Sequence, residues 1–102
     1  MTLPMLSDAE VADYVLSMTP VERSVMRHFV NGRGRLYSVI AEKAGASYFE
    51  VQATGRKLQS ARLASISVVP FNGCRLFLNH RGEQIKRAVE MLEEIERRRA
   101  NR

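Results

Sequence analysis

Three times in this chain a Ser or Thr is followed three residues later by Glu, each time ahead of apolar residues at helical spacing. The segments are Ser7-Asp8-Ala9-Glu10, Thr19-Pro20-Val21-Glu22 and Ser47-Tyr48-Phe49-Glu50. In such a box the hydroxyl accepts from the N3 N–H and the carboxylate accepts from the N-cap N–H, so each one marks a helix start. Pro20 stands at N1 of the second helix, where a missing N–H costs nothing. Three helix starts within fifty residues exclude an all-β chain and set the frame for everything between them.

The apolar pattern fills in the frame. Val11, Tyr14, Val15 and Met18 stripe a first helix over 7–18, and Val21, Val25, Met26, Phe29 and Val30 stripe a second. Asn31-Gly32-Arg33-Gly34 is expected to end the second helix, because Gly and Asn tolerate the left-handed conformation. A third helix is predicted from about Tyr37 to Ala44, with Leu36 leading in and Val39, Ile40 and Ala41 central. After the short turn Gly45-Ala46, the fourth runs to about Arg62 and buries Val51, Thr54 or Gly55, Leu58 and Ala61. Gly55 costs about 1 kcal/mol against Ala in a helix interior, which predicts close packing there. The period then changes to two. Ile66–Val69 and Arg75–Leu78 read as strands around Pro70-Phe71-Asn72-Gly73, whose Asn-Gly pair is a strong hairpin signal. Asn79 caps a last helix, about Arg81 to Arg99, with Ile85, Ala88, Val89, Leu92 and Ile95 on one face.

Composition narrows the function classes. The 102 residues are 45% hydrophobic and 26% charged, which is globular rather than disordered. Net charge is +5, and its distribution is uneven. Residues 1–20 carry three acidic groups and no Lys or Arg, whereas residues 21–62 carry eight basic against three acidic. A positive middle is where a polyanion would dock. One cysteine, Cys74, excludes an internal disulfide framework and a multi-Cys zinc site. No apolar run approaches the ~18 residues of a membrane span, and the N-terminus lacks a signal-peptide layout, so a cytoplasmic protein without membrane contact is expected.

Helix, tight Gly turn, capped helix and hairpin is the order of a winged helix-turn-helix, whose second helix fits the major groove. The residues themselves resemble the MarR-like winged-helix transcription regulators. A Leu/Ile-Ala pair, Gly-x-Ser and a Val seven residues before a Leu appear as Ile40-Ala41, Gly45-Ala46-Ser47, Val51 and Leu58. Leu78-Asn79-His80-Arg81-Gly82 stands where that family has Leu-Thr-x-x-Gly after its wing, and Thr19-Pro20 matches its entry to the domain. The resemblance covers about residues 19–98. Arg62 replaces the Gly usual before the first wing strand, and the N-terminal helix is shorter than in many members. The fold expected is α+β and mainly helical. It is one domain over 1–102, with an N-terminal helix (7–18), a winged core (19–82) and a C-terminal helix (83–99).

The resemblance implies double-stranded DNA as partner and a small regulator, expected to be a repressor. It carries the base-facing surface to Tyr48, Phe49, Gln52, Ala53 and Arg56, with Ser47 and Lys57 nearer phosphate. Gln52 suits adenine and Arg56 suits guanine. Phe49 is either on that surface or in the core. Arg75 would serve the wing, and Arg33 and Arg35 either grip phosphate or cover loop backbone. A homodimer is expected, with Val11, Tyr14, Val15, Met18, Ile85, Val89, Leu92 and Ile95 as its seam. The alternative is a winged-helix module that binds protein as an accessory or inhibitory factor, for which exposed aromatics would suit.

No enzyme is expected. His28 and His80 lack ligands at metal spacing, no phosphate-binding glycine loop occurs, and no nucleophile elbow is present. Cys74 reads as a small apolar wing residue, or as a redox sensor favoured by Arg75 beside it. No metal or cofactor is therefore expected, and the sequence does not name an effector ligand. Leu58, two helical turns from Val51, should face the core. Leu58→Ala is expected to cost about 2–5 kcal/mol, and a wild-type melting temperature would show that the helix is rotated from this phase.

Overall fold

A computed structural model describes residues 3–29, 35–69 and 73–101. In chain order the elements are α1 (Asp8–Ser17), α2 (Pro20–Arg27), β1 (Arg35–Leu36), α3 (Tyr37–Ala44), α4 (Tyr48–Ser60), β2 (Ala64–Val69), β3 (Gly73–Leu78) and α5 (His80–Ala100). All three boxes form. Ser7, Thr19 and Ser47 each accept from the N–H of the Glu three residues on, and each Glu accepts the N-cap N–H in return. The strands make an antiparallel sheet in the order β1-β3-β2, with Arg35 opposite Leu76 and Ile66 opposite Leu76 on the other side.

Several boundaries differ from the sequence reading. Both hairpin strands begin two residues early, and β1 joins as a third strand too short for any period to announce. Helix α2 ends at Arg27, before the expected stop at Asn31-Gly32-Arg33-Gly34, and those four residues lie outside the described ones. Val30 and the turn residues Pro70-Phe71-Asn72 lie outside them as well. Val21 is exposed rather than buried, because it lines an open recess between α2 and α4.

The core joins every helix to the sheet: Val15, Met18, Val25, Met26, Phe29, Tyr37, Ile40, Val51, Leu58, Leu76, Ile85 and Val89 are all buried in it. This corrects the expected dimer seam. Val15, Met18, Ile85 and Val89 are spent inside one chain, where α1 packs on α5, and Val11, Tyr14 and Leu92 lie half-buried against them. Only Ile95 of that set stays open, at 47% exposure. A small domain must cover its own apolar faces before it can offer any to a partner. The segment before α1 is also tied to α5. The Leu6 N–H donates to Gln84, whose amide donates back to the Leu6 carbonyl, and the His80 ring meets the Leu3 carbonyl at 2.6 Å.

Two close approaches fix how the helices sit. A Cβ on Gly55 would overlap the Tyr37 hydroxyl, so α3 and α4 meet at the one position of α4 without a side chain. A Cβ on Gly82 would overlap the Leu63 carbonyl, so the first turn of α5 lies directly on the end of the α4–β2 turn. Asn79 locks that junction. Its Oδ1 accepts from the Gly82 N–H at 2.9 Å, its Nδ2 donates to the Arg62 carbonyl at 2.8 Å, and its N–H donates to the Leu63 carbonyl. Arg62, which stands where glycine is usual in the family resembled, holds a left-handed φ of 61°. That conformation costs a side-chain-bearing residue about 1–2 kcal/mol.

Ion pairs tie the helices together outside the core. Arg27 reaches Glu93 at 3.1 Å and Arg23 reaches Glu96 at 3.9 Å, joining α2 to α5. Glu94 pairs with both Arg97 and Arg98 along α5. Lys57 of α4 meets Glu22 of α2 at 2.9 Å. Partial burial raises the Glu22 pKa, but the Thr19 N–H, Lys57 and the Thr19 hydroxyl outweigh it and hold the carboxyl below its ordinary 4.5.

Two outcomes follow from this packing. Gly55→Ala should destabilise the fold by about 1–3 kcal/mol although alanine is the better helix former. Tyr37→Phe, which deletes a buried hydroxyl that has no hydrogen-bond partner among the described residues, should leave stability unchanged or raised. Paired thermal melts check both, and a stabilised Gly55→Ala would contradict the overlap. Because the folded pKa of Glu22 lies below its unfolded value, its contribution is complete above that value and is lost as pH falls through the folded one. Glu22→Gln should therefore flatten the loss of stability measured by denaturant titration as pH falls through and below 4.5.

Candidate nucleic-acid interface

Helix α4 carries two stripes of the same i, i+3, i+4, i+7 form. Val51, Thr54, Gly55 and Leu58 form one, and all four are buried. Thr54 remains compatible with burial because its hydroxyl donates to the Glu50 carbonyl at 2.9 Å. The other stripe is Phe49, Gln52, Ala53 and Arg56, and it faces away from the core; Gln52 is half-buried and the other three are exposed. The phase expected from Val51 and Leu58 is the phase observed.

The sequence-derived residues divide by what the fold does with them. Ser47 spends its hydroxyl oxygen on the Glu50 N–H at 3.1 Å, leaving only its O–H proton to offer a phosphate. Tyr48 is 37% exposed and set edge-on to Tyr37, with ring centroids 5.9 Å apart at 67°. Its hydroxyl lies beside Gly73 at the start of β3. Tyr48 therefore braces α4 against the wing. Phe49, left open between surface and core, is 78% exposed. Burial, then Tyr37's neighbours Cys74 and Tyr48, push the Tyr37 hydroxyl up to about 12, so it stays protonated.

Arg56 and Gln52 flank a recess of about 300 Å³ between α4 and the wing, walled by Ile66, Val68 and Cys74. Lys57 lies on the other side of the helix, over α2, held by Glu22. Arg75 stands two residues into β3 from the hairpin end of the wing. It sits half-buried in the central strand, between Leu36 of β1 and Ser67 of β2. Arg35 donates to the His28 carbonyl at 3.0 Å, so it covers the backbone that follows α2. Arg33 lies outside the described residues. Burial, and then the cations Arg27, Arg35, Lys43 and Lys86, hold the His28 imidazole below its ordinary 6.5. Among the described residues no three His, Cys, Asp or Glu side chains gather as a metal site, and no helix is long and apolar enough to cross a membrane.

Two features escaped the sequence reading. The Lys57–Glu22 contact joins residues 35 apart, and only the packing of α2 on α4 creates it. Strand β1 was hidden by its length of two residues, although Leu36 leading into the third helix was the available sign.

No protein-family model matches the sequence, and no curated protein matches it. Solved structures do. The chain is similar to a MarR family transcription regulator, with a TM-score of 0.65 at 20% identity over 86% of this chain, and it spans 61% of that regulator's length. It is similar to MepR, a transcription regulator of the Staphylococcus aureus multidrug efflux pump MepA, with a TM-score of 0.62 at 15% identity over 91% of this chain and 76% of that one. It is also similar to the S. aureus MepR of a MepR–DNA complex, with a TM-score of 0.61 at 18% identity over 91% of this chain and 84% of that one. Among the described residues, five helices around a three-stranded antiparallel sheet, superposing on these proteins, give this chain the winged helix-turn-helix fold of the MarR-family regulators.

Proposed function

We propose that this protein is a sequence-specific double-stranded DNA-binding regulator of transcription that acts in the cytoplasm as a repressor, by occupying its operator. One observation carries the reading. The capped α4 turns Gln52, Ala53 and Arg56 outward on a fold shared with a protein solved in complex with DNA. Gln52 can bond adenine and Arg56 guanine through paired hydrogen bonds in the major groove. The N–H groups at the start of α4 favour a phosphate nearby.

Two copies are expected, since one reading helix covers too few base pairs for useful specificity. The second copy would join through what α1 and α5 leave open, namely Leu16, Met91 and Ile95, and not through the buried stripe between them. The interface has no catalytic role in this reading.

Selection from a random pool of duplexes tests it. Enriched duplexes should bind with an affinity that falls steeply as salt rises. Arg56→Ala should lose about 1–3 kcal/mol of discrimination at one base position, whereas Lys57→Ala should weaken all sequences alike and lower the salt slope by about one. Lys57, whose side chain is 62% exposed, must leave Glu22 to do this, and Glu22 keeps its bond from the Thr19 N–H. Unchanged binding by the double variant would reject α4 as the reading helix.

A further inference from the structure

We infer that Phe49, with Ala53 beside it, reads the C5-methyl group of thymine, so that the preferred duplex carries a thymine, or two adjacent ones, recognised by apolar contact. This rests on the reading of α4 as the helix that enters the groove.

The argument begins with an exposed ring that the fold does not use. Phe49 is the second residue of α4 and is 78% exposed, while its neighbour Tyr48 is drawn onto Tyr37 and the wing. Glu50 turns its carboxylate back to the Ser47 N–H at 2.9 Å. Phe49 is thus the side chain projecting at the end of the helix that meets base edges first in this docking geometry. Ala53, one turn further on, is also exposed. Together they form an apolar strip about 6 Å long, which spans two stacked bases.

A phenyl ring offers no hydrogen bond to a base edge. Of the groups displayed in the major groove, only the thymine methyl is apolar, and Phe and Ala are among the side chains that contact it. The strip lies directly beside Gln52 and Arg56, which read by hydrogen bonding. The outward face of α4 therefore combines two kinds of readout. Its hydrogen-bonding half suits adenine and guanine, and its apolar half suits thymine.

The test uses the duplex that the wild-type protein enriches from a random pool. Each thymine is replaced in turn by deoxyuridine, which removes the methyl and keeps the base pair. Binding should weaken about fourfold, the factor for one buried methyl group, at one or two adjacent positions of a half-site and nowhere else. Phe49→Ala should lose a similar factor on the thymine duplex and lose the deoxyuridine penalty at the position that Phe49 contacts, with an unchanged melting temperature. A wild-type protein indifferent to deoxyuridine at every position overturns the inference and leaves DNA binding standing. So does a Phe49→Ala variant that keeps the full deoxyuridine penalty. If no duplex is enriched and none binds at low salt, both readings fall together, and the ring belongs to a protein-docking face.

Discussion

The ring of Tyr37 occupies the space that a side chain at position 55 would need, and the orientation of α4 depends on that overlap. With glycine there, α4 lies close on α3 and turns Val51, Thr54 and Leu58 into the core. The same placement puts Leu76 of the central strand against Gly55 and brings Tyr48 edge-on to Tyr37. One buried aromatic side chain thus meets α4 at two positions, one of them also packed on the sheet. The relation between helix and wing is set by the same contact as the relation between helix and core. Close-packed interiors transmit such constraints because they have few voids to absorb a shift.

A second constraint acts at the other end of α4. There the chain must reverse into β2, and Arg62 makes the reversal in a left-handed conformation that favours glycine. Asn79 takes up the Arg62 carbonyl and caps α5 with the same side chain. Gly82 lets α5 come down on Leu63. The motif Leu78-Asn79-His80-Arg81-Gly82 therefore has a packing explanation independent of any ligand.

The positive charge of the chain is partly consumed by the fold. Arg27 and Arg23 bind glutamates of α5, Lys57 binds Glu22, and Arg35 holds a backbone carbonyl. A basic count along the sequence accordingly overstates what faces a partner.

Local chemistry explains what could be read without a structure. A capping box satisfies helix N–H groups with side chains three residues apart, so Ser7, Thr19 and Ser47 announced their helices directly. The seven-residue spacing of Val51 and Leu58 likewise fixed the phase of α4, because both terms lie on one helix. Contacts between distant elements were not legible. Whether Phe49 was core or surface, whether the stripes of α1 and α5 faced each other or another chain, and where Lys57 would find its carboxylate all depended on which elements pack together. The sequence by itself determined the helix starts, the hairpin and the buried face of α4, since each is encoded by residues within two turns of one another. Only the tertiary structure decided which apolar faces were spent inside the chain and which ring was left outside, because burial is a property of the neighbours an element acquires and not of its own residues.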